Sequence, residues 1–184
     1  LAMGVNTMFY NTTGYKNVAL GDYGLWSNTE GMENVAISGN SSLYKNTTGS
    51  QNIAIGAASL YNNETGNYNI AIGRSSLYSN TASNNVGIGH ESLKSNTTGY
   101  RNVALGYHGL WSNTEGMENV AISGNSSLYK NTTGKQNVAI GALSLYNNET
   151  GNYNIAIGRA SLYSNTASNN VGIGSESLRS NTTG

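Results

Sequence analysis

The chain has 184 residues, of which only 10% are charged; its formal net charge is zero, and it contains 24 Gly but no Pro and no Cys. The balanced charge gives no electrostatic footprint for nucleic acid, and no apolar run approaches the ~18 residues of a membrane span, so we expect no nucleic-acid partner and no membrane insertion within this sequence. The absence of Pro excludes collagen, and 13 Tyr and 2 Trp at recurring positions argue against disorder.

A tetrad of the form [Val/Ile/Leu]-[Ala/Gly]-[Ile/Leu/Met]-[Gly/Ser] recurs along the chain. It begins at residues 1, 18, 35, 53, 70, 86, 103, 120, 138, 155 and 171, so intervals of 17, 17, 18, 17 and 16 residues occur twice in succession. Five units make an 85-residue block, and residues 11–95 differ from residues 96–180 at nine positions. We therefore treat 1–184 as a single repetitive segment with an internal duplication. Because it begins and ends within a repeat, we expect it to be a fragment of a longer protein.

Each unit contains two apolar stretches separated by turns. The tetrad comes first, and its alternation predicts a short β-strand with Val18 and Leu20 on one face and Ala19 on the other. The second stretch, "GLW" or "SLY", starts a Leu column at Leu25. Neither stretch reaches the roughly ten residues of a helix, and Gly or Asn bounds each one. We predict that Val, Ile and Leu of the tetrads point into the core together with this Leu column.

A unit of this length cannot bury a core alone, whereas stacked units can. The sequence therefore predicts an all-β fold, a parallel β-roll or β-solenoid of about eleven coils of 16–18 residues. Stacking would place one Asn column in register, where amides can bond from coil to coil. Its members are Asn17, Asn34, Asn52, Asn69, Asn85 and Asn102. The alternative is that these residues bind sugar or metal. The Asn-x-Ser/Thr sequons, for example Asn11, Asn40, Asn46 and Asn63, are interpreted as turns rather than glycosylation sites.

The middle residue of the tetrad is always small. If the alternation turns it away from the core, a column of Ala predicts a crowded face where chains associate. The proposed interface residues are Ala19, Ala36, Ala54, Ala71, Ala104, Ala121, Ala139 and Ala156.

The recurring Asn-x-Ala-Ile-Gly core, in "NVALG", "NIAIG" and "NTTG…NVAIGALSLYNNETG", resembles the head repeats of trimeric autotransporter adhesins of the YadA type and the repeat arrays of bacteriophage tail fibres. The resemblance covers essentially the whole chain. It implies a left-handed β-roll and a parallel homotrimer, with Ile70 and Ile72 in the coil core and Ala71 facing the trimer axis. It also implies an extracellular location, on a cell surface or virion, as a structural or adhesive shaft or head segment that mediates attachment to a surface.

No residue pattern indicates catalysis, so we predict no enzyme, no cofactor and no metal site. The two histidines, His90 and His108, are replaced by Ser175 and Tyr23 at the equivalent positions of the other block. We interpret them as exposed, freely varied side chains.

Two surface columns suggest other functions. An aromatic stripe could bind glycan or a host-surface protein, or its rings could simply brace the turns; its members are Trp26, Tyr44, Tyr61, Tyr78, Trp111, Tyr129, Tyr146 and Tyr163. A Thr column, Thr12, Thr29, Thr47, Thr81 and Thr97, suggests ice binding as a remote alternative, although Glu64 interrupts it and it lies in a turn.

Overall fold

A computed structural model describes residues 1–183, a range that contains strands and turns but no helix, and hence none able to cross a membrane. The strands are β1 Ala2–Met3, β2 Val18–Asp22, β3 Val35–Asn40, β4 Ile53–Ile55, β5 Ile70–Ile72, β6 Val86–Ile88, β7 Val103–Tyr107, β8 Val120–Asn125, β9 Val138–Ile140, β10 Ile155–Ile157 and β11 Val171–Ile173. Every strand overlaps a predicted tetrad, and each strand from β2 onward begins at the first residue of its tetrad.

All eleven strands form one parallel sheet in the order β1 to β11. Equivalent tetrad positions lie opposite each other, as in Ile53↔Ile70 and Ala54↔Ala71. The extra residue of the longer coils is absorbed as an irregularity after the tetrad, where the register shifts and Asp22 pairs with Asn40. At ~4.8 Å per strand the sheet extends for roughly 50 Å. The predicted all-β parallel solenoid is confirmed.

The interior of the coils consists of one Leu column and one Ala column. Both are fully buried within a single chain: Leu25, Leu43, Leu60, Leu77, Leu93, Leu110, Leu128, Leu145 and Leu162, and Ala19, Ala36, Ala54, Ala71, Ala104, Ala121, Ala139 and Ala156. The predicted orientation of the tetrad is therefore wrong. Ala71 points into the coil, whereas Ile70 and Ile72 on either side of it are only partly buried on the outer face. The Ala column cannot be an intermolecular interface, because its own coil already encloses it.

The physical reason for this inversion is the thinness of the coil. Gly87 takes the Ala position in a 16-residue coil, and a Cβ added there would lie 2.6 Å from Ser76 Oγ and 3.2 Å from Leu77 Cγ. The Leu side chain thus crosses the coil from the facing wall and leaves room for no more than a methyl group. A Val or Ile side chain at that position would overfill the interior.

The second apolar stretch is a turn rather than a strand. Core leucines adopt the left-handed conformation, with φ values of 50° at Leu25, 49° at Leu60 and 51° at Leu110. This conformation costs an L-residue roughly 1–2 kcal/mol. Full burial of a Leu side chain contributes about 1.5–3 kcal/mol of stability, which is enough to offset the cost of the left-handed conformation.

An Asn residue precedes each strand from β2 onward, and its amide joins consecutive coils. At Asn52, the backbone N–H and Nδ2 donate to Asn34 Oδ1 at 2.9 and 3.2 Å, and Nδ2 also donates to the Gly66 carbonyl at 2.8 Å. The same pattern continues to Asn170. This strand Asn ladder confirms the prediction for Asn17, Asn34, Asn52, Asn69, Asn85 and Asn102.

A second ladder runs through the Asn-Thr turns, where the sequence predicts only a turn. Asn46 Nδ2 donates to Asn28 Oδ1 and to the carbonyl of Gly49, both at 2.8 Å. The sequon residues Asn46 and Asn63 belong to this turn Asn ladder and are fully buried, whereas Asn40 is exposed. The buried sequons are therefore structural and inaccessible to glycosylation in the folded chain.

Candidate functional site

The aromatic residue after each core Leu lies outside the turn, and successive rings stack along the solenoid. The centroids of Trp26, Tyr44, Tyr61 and Tyr78 are separated by 5.0, 5.0 and 5.1 Å, with ring planes within 11° of parallel. Those of Trp111, Tyr129, Tyr146 and Tyr163 are separated by 5.3, 5.1 and 5.2 Å. The structure thus brings the eight candidate residues together as two aromatic ladders of four rings each.

These ladders present ring edges rather than free ring faces along most of their length. The ring separation is close to the ~4.8 Å coil repeat, so each inner ring is covered on both faces by its neighbours. Lys94 lies 5.6 Å from the Trp111 ring centroid, and Arg179 lies 5.4 Å from that of Tyr163. A sugar stacks on an exposed aromatic face. The geometry therefore favours the bracing interpretation of these residues.

The outer face of the sheet is apolar along its whole length. It carries the first and third residue of every tetrad, and we call it the Val/Ile face. Exposure there reaches 37% at Ile157 and 66% at Ile173. Its residues from β2 to β11 are Val18, Leu20, Val35, Ile37, Ile53, Ile55, Ile70, Ile72, Val86, Ile88, Val103, Leu105, Val120, Ile122, Val138, Ile140, Ile155, Ile157, Val171 and Ile173. Three residues of ~3.3 Å across eleven strands of ~4.8 Å give a face of roughly 500 Å².

A patch of this size matches the largest contiguous apolar patch of a typical monomer, about 300–600 Å², and such patches often have a binding function. The sequence analysis placed the interaction surface one residue away along each strand. The signal that identifies the correct face is the β-branched character of the flanking positions, which from β2 to β11 are all Val or Ile except Leu20 and Leu105. A half-buried, pleated sheet surface accommodates β-branched side chains better than a narrow core does.

A cluster of titratable side chains lies between the sixth and seventh coils. His90, Glu91 and His108 each offer a ligand atom within 4.8 Å of the others, the only such group of three in the described residues. His108 Nε2 is 3.2 Å from Glu91 Oε2. Trp111 Nε1 donates to the same oxygen at 3.0 Å, and Lys94 Nζ donates to Oε1 at 2.7 Å. The structure therefore joins two histidines that the sequence analysis treated as independent.

The charges within this cluster shift its pKa values. The hydrogen bond from Lys94 is the main cause that lowers the pKa of Glu91 to about 2, so this carboxylate is ionised throughout the neutral range. Burial lowers the pKa of His108 below its usual value, against an opposing contribution from Glu91. Burial also raises the pKa of Tyr129 in the neighbouring aromatic ladder.

The Thr column serves the scaffold. Thr47 Oγ1 donates to the Glu64 carbonyl at 3.0 Å, and Thr97 Oγ1 donates to the Thr114 carbonyl at 3.0 Å. Because each of these hydroxyl protons is directed to the adjacent coil, it is not available to order water. The column thus contributes to coil stacking.

Two shallow grooves lie on the surface. The larger, of about 500 Å³, is bordered by Thr98, Met117, Lys135 and Tyr153. The smaller, of about 320 Å³, runs beside Tyr61 and contains Arg74. The larger groove carries one acidic and one basic residue, Glu115 and Lys135, and the smaller carries Arg74.

No family of known proteins, no curated protein and no solved structure matches this chain.

Proposed function

We propose that this chain is the structural and adhesive shaft of an extracellular trimeric fibre, in which three parallel copies pack through the Val/Ile face. One observation carries the proposal: a continuous apolar face on a rigid eleven-stranded sheet. Burial of that face is favourable at about 25 cal/mol per Å². The repeat multiplies the same contact along the fibre, so small gains per coil add up.

The number three and the extracellular setting are supported by the resemblance of the repeat motif to trimeric adhesin heads and tail fibres. The parallel orientation is supported by the repeat itself. Three parallel copies in register present the same pair of side chains at every coil level, so no coil lacks a partner. The two Asn ladders and the stacked rings stiffen the solenoid into a rod of evenly spaced coils. A rod of this kind suits a shaft that holds an attachment surface away from its base.

Assembly is tested with Ile72→Glu combined with Ile157→Glu, one substitution in each block. Light scattering of the wild type should give three times the 19.3 kDa chain mass. The variant should be monomeric, since burying unpaired carboxylates in an apolar interface costs several kcal/mol each. The glutamates lie on the outer face of the isolated coil, so circular dichroism should remain that of the wild type.

The matched control is Thr48→Glu combined with Thr133→Glu. Both positions are exposed, and the equivalent position of a neighbouring unit already carries Glu115. This control should assemble as the wild type does. A monomeric wild type at micromolar concentration, or normal trimers from the Ile variant, would refute the assignment of the Val/Ile face.

Orientation is tested with a single introduced thiol, because the chain has no Cys. In a parallel register Ile157→Cys meets its own counterpart and should give covalent dimers on oxidation. In an antiparallel register this position lies many coils from its counterpart, far beyond disulfide reach. Failure of Ile157→Cys to cross-link in an assembled sample would exclude the parallel arrangement.

A further inference from the structure

The junction of the two blocks differs from the rest of the solenoid. His90 and Glu91 follow β6, the last strand of the first block, and His108 directly follows β7, the first strand of the second block. The backbone N–H of His108 donates to the His90 carbonyl at 3.2 Å, so the two residues occupy equivalent corners of adjacent coils. Their side chains, with that of Glu91, converge within 4.8 Å.

The separation of these atoms suits a small divalent cation. Zinc binds imidazole nitrogen and carboxylate oxygen at about 2.0–2.2 Å, so tetrahedral ligands lie about 3.3 Å apart. His108 Nε2 and Glu91 Oε2 are 3.2 Å apart. The third group, His90, has an Nδ1 that is buried and has no hydrogen-bond partner. A buried imidazole nitrogen without a partner is costly unless something binds it.

Neighbouring side chains hold these groups in place. The ring of Tyr107 stacks on that of His90, with centroids 5.5 Å apart, and lies tilted by 31° against that of His108, with centroids 3.7 Å apart. Trp111 Nε1 donates to Glu91 Oε2 at 3.0 Å. Outer contacts of this kind orient the ligands of a metal site. Lys94 Nζ pairs with Glu91 Oε1 at 2.7 Å, whereas His108 Nε2 contacts Oε2, so the lysine and this histidine use different carboxylate oxygens.

The difference between the blocks falls on these residues. Of the nine positions at which residues 11–95 and 96–180 differ, four involve residues of this cluster. They are His90/Ser175, Lys94/Arg179, Asp22/Tyr107 and Tyr23/His108. Elsewhere the repeat is nearly invariant, so the cluster is not a by-product of the repeated pattern.

We propose that His90, Glu91 and His108 bind a divalent transition-metal ion of the zinc class, with the fourth coordination position open to water. The ion links the sixth coil to the seventh and so cross-links the two 85-residue blocks at their junction. Two imidazoles and one carboxylate are suitable ligands for Zn²⁺, Co²⁺ and Ni²⁺. The pairing of Glu91 with Lys94 makes the site weaker than a closed site with four protein ligands.

The test uses the 184-residue chain freed of metal with EDTA and titrated with ZnCl₂ by isothermal calorimetry. We expect one ion per chain and a rise in melting temperature on adding zinc, because an ion that binds only the folded state stabilises it. Co²⁺ should give the visible d–d absorption of a four-coordinate site. Absence of saturable zinc binding by the wild type would overturn the proposal.

Matched variants come from the protein itself. His90→Ser and His108→Tyr introduce the residues that the other block carries at these positions, so folding should be retained. Each should weaken zinc binding at least tenfold and abolish the zinc-dependent shift in melting temperature. Tyr23→His is the complementary control, because the residues of the preceding coil that correspond to His90 and Glu91 are Val5 and Asn6, which supply neither a second imidazole nor a carboxylate. The Tyr23→His variant should still bind one zinc ion per chain. Unchanged affinity in both His90→Ser and His108→Tyr would show that the zinc binds elsewhere.

Discussion

Replacing Gly116 with Ala tests the stacking of the coils most directly. A Cβ built at Gly116 would lie 2.3 Å from Asn113 Oδ1, 2.6 Å from the Gly134 carbonyl oxygen and 2.7 Å from Asn131 Nδ2. All three atoms belong to the turn Asn ladder or to the backbone of the adjacent coil. None is the free end of a flexible side chain, so the coils must separate locally to admit the methyl group.

The size of the destabilisation by Gly116→Ala follows from these contacts. Overpacking a well-filled interior costs about 1–3 kcal/mol. The shift also disturbs the bonds from Asn113 Nδ2 to the Gly116 carbonyl, at 2.9 Å, and from Asn131 Nδ2 to Asn113 Oδ1, at 2.7 Å. A buried polar group left without its partner costs about 1–3 kcal/mol more. We therefore expect Gly116→Ala to lower the free energy of unfolding by about 2–6 kcal/mol.

The assay is thermal and urea unfolding followed by circular dichroism, with Gly124→Ala as control. Gly124 is exposed, and a Cβ there meets nothing within 4 Å. For a chain of this size the Gly116 variant should melt roughly 10 °C lower, and the Gly124 variant within about 2 °C of the wild type. Equal melting temperatures for the two variants would refute the steric reasoning. Gly31→Ala, its equivalent in the first block, should behave as Gly116→Ala does.

Three further outcomes are expected. Asn119→Ala should lower the free energy of unfolding by about 2–4 kcal/mol in urea titrations, since Asn119 Nδ2 bonds the Gly134 carbonyl at 2.8 Å and the buried acceptor would lose its partner; a loss below that of an exposed Asn→Ala change would contradict the ladder. Tyr129→Ala should cost about 1–3 kcal/mol by the same measurement, because its ring stacks on both sides at 5.3 and 5.1 Å; Tyr129→Phe should retain most of the stability. In EDTA, the pKa of Glu91 lies near 2 in the folded chain because of Lys94, below its unfolded value. The stability that ionised Glu91 provides is complete above the pKa of this residue in the unfolded chain, and it is lost as the pH falls towards the folded pKa. The melting temperature should therefore drop more steeply for the wild type than for Glu91→Gln between about pH 5 and pH 2. Parallel melting-temperature profiles for the two proteins would refute this contribution of Glu91.

The sequence alone determined the period, the strands and the register. The tetrad alternates every two residues and returns every 16–18, so a stack of equivalent coils follows from the repeat itself. The strand Asn ladder followed as well, because a buried Asn column in register has the next amide as its natural partner. The turn Asn ladder did not, because Asn in an Asn-Thr-Thr-Gly segment equally suits an exposed turn.

Which face of the strand lies inside was decided only by the tertiary structure. Alternation separates Ala71 from Ile70 and Ile72 but does not say which set is enclosed, and the greater hydrophobicity of Ile favoured the wrong answer. The width of the coil settles it: Leu77 reaches across from the opposite corner and leaves space for a methyl group at most. That width depends on how sharply left-handed corners fold the chain back on itself. The meeting of His90 with His108 also depends on the tertiary structure, because 18 positions of sequence separate two residues that one coil repeat places side by side.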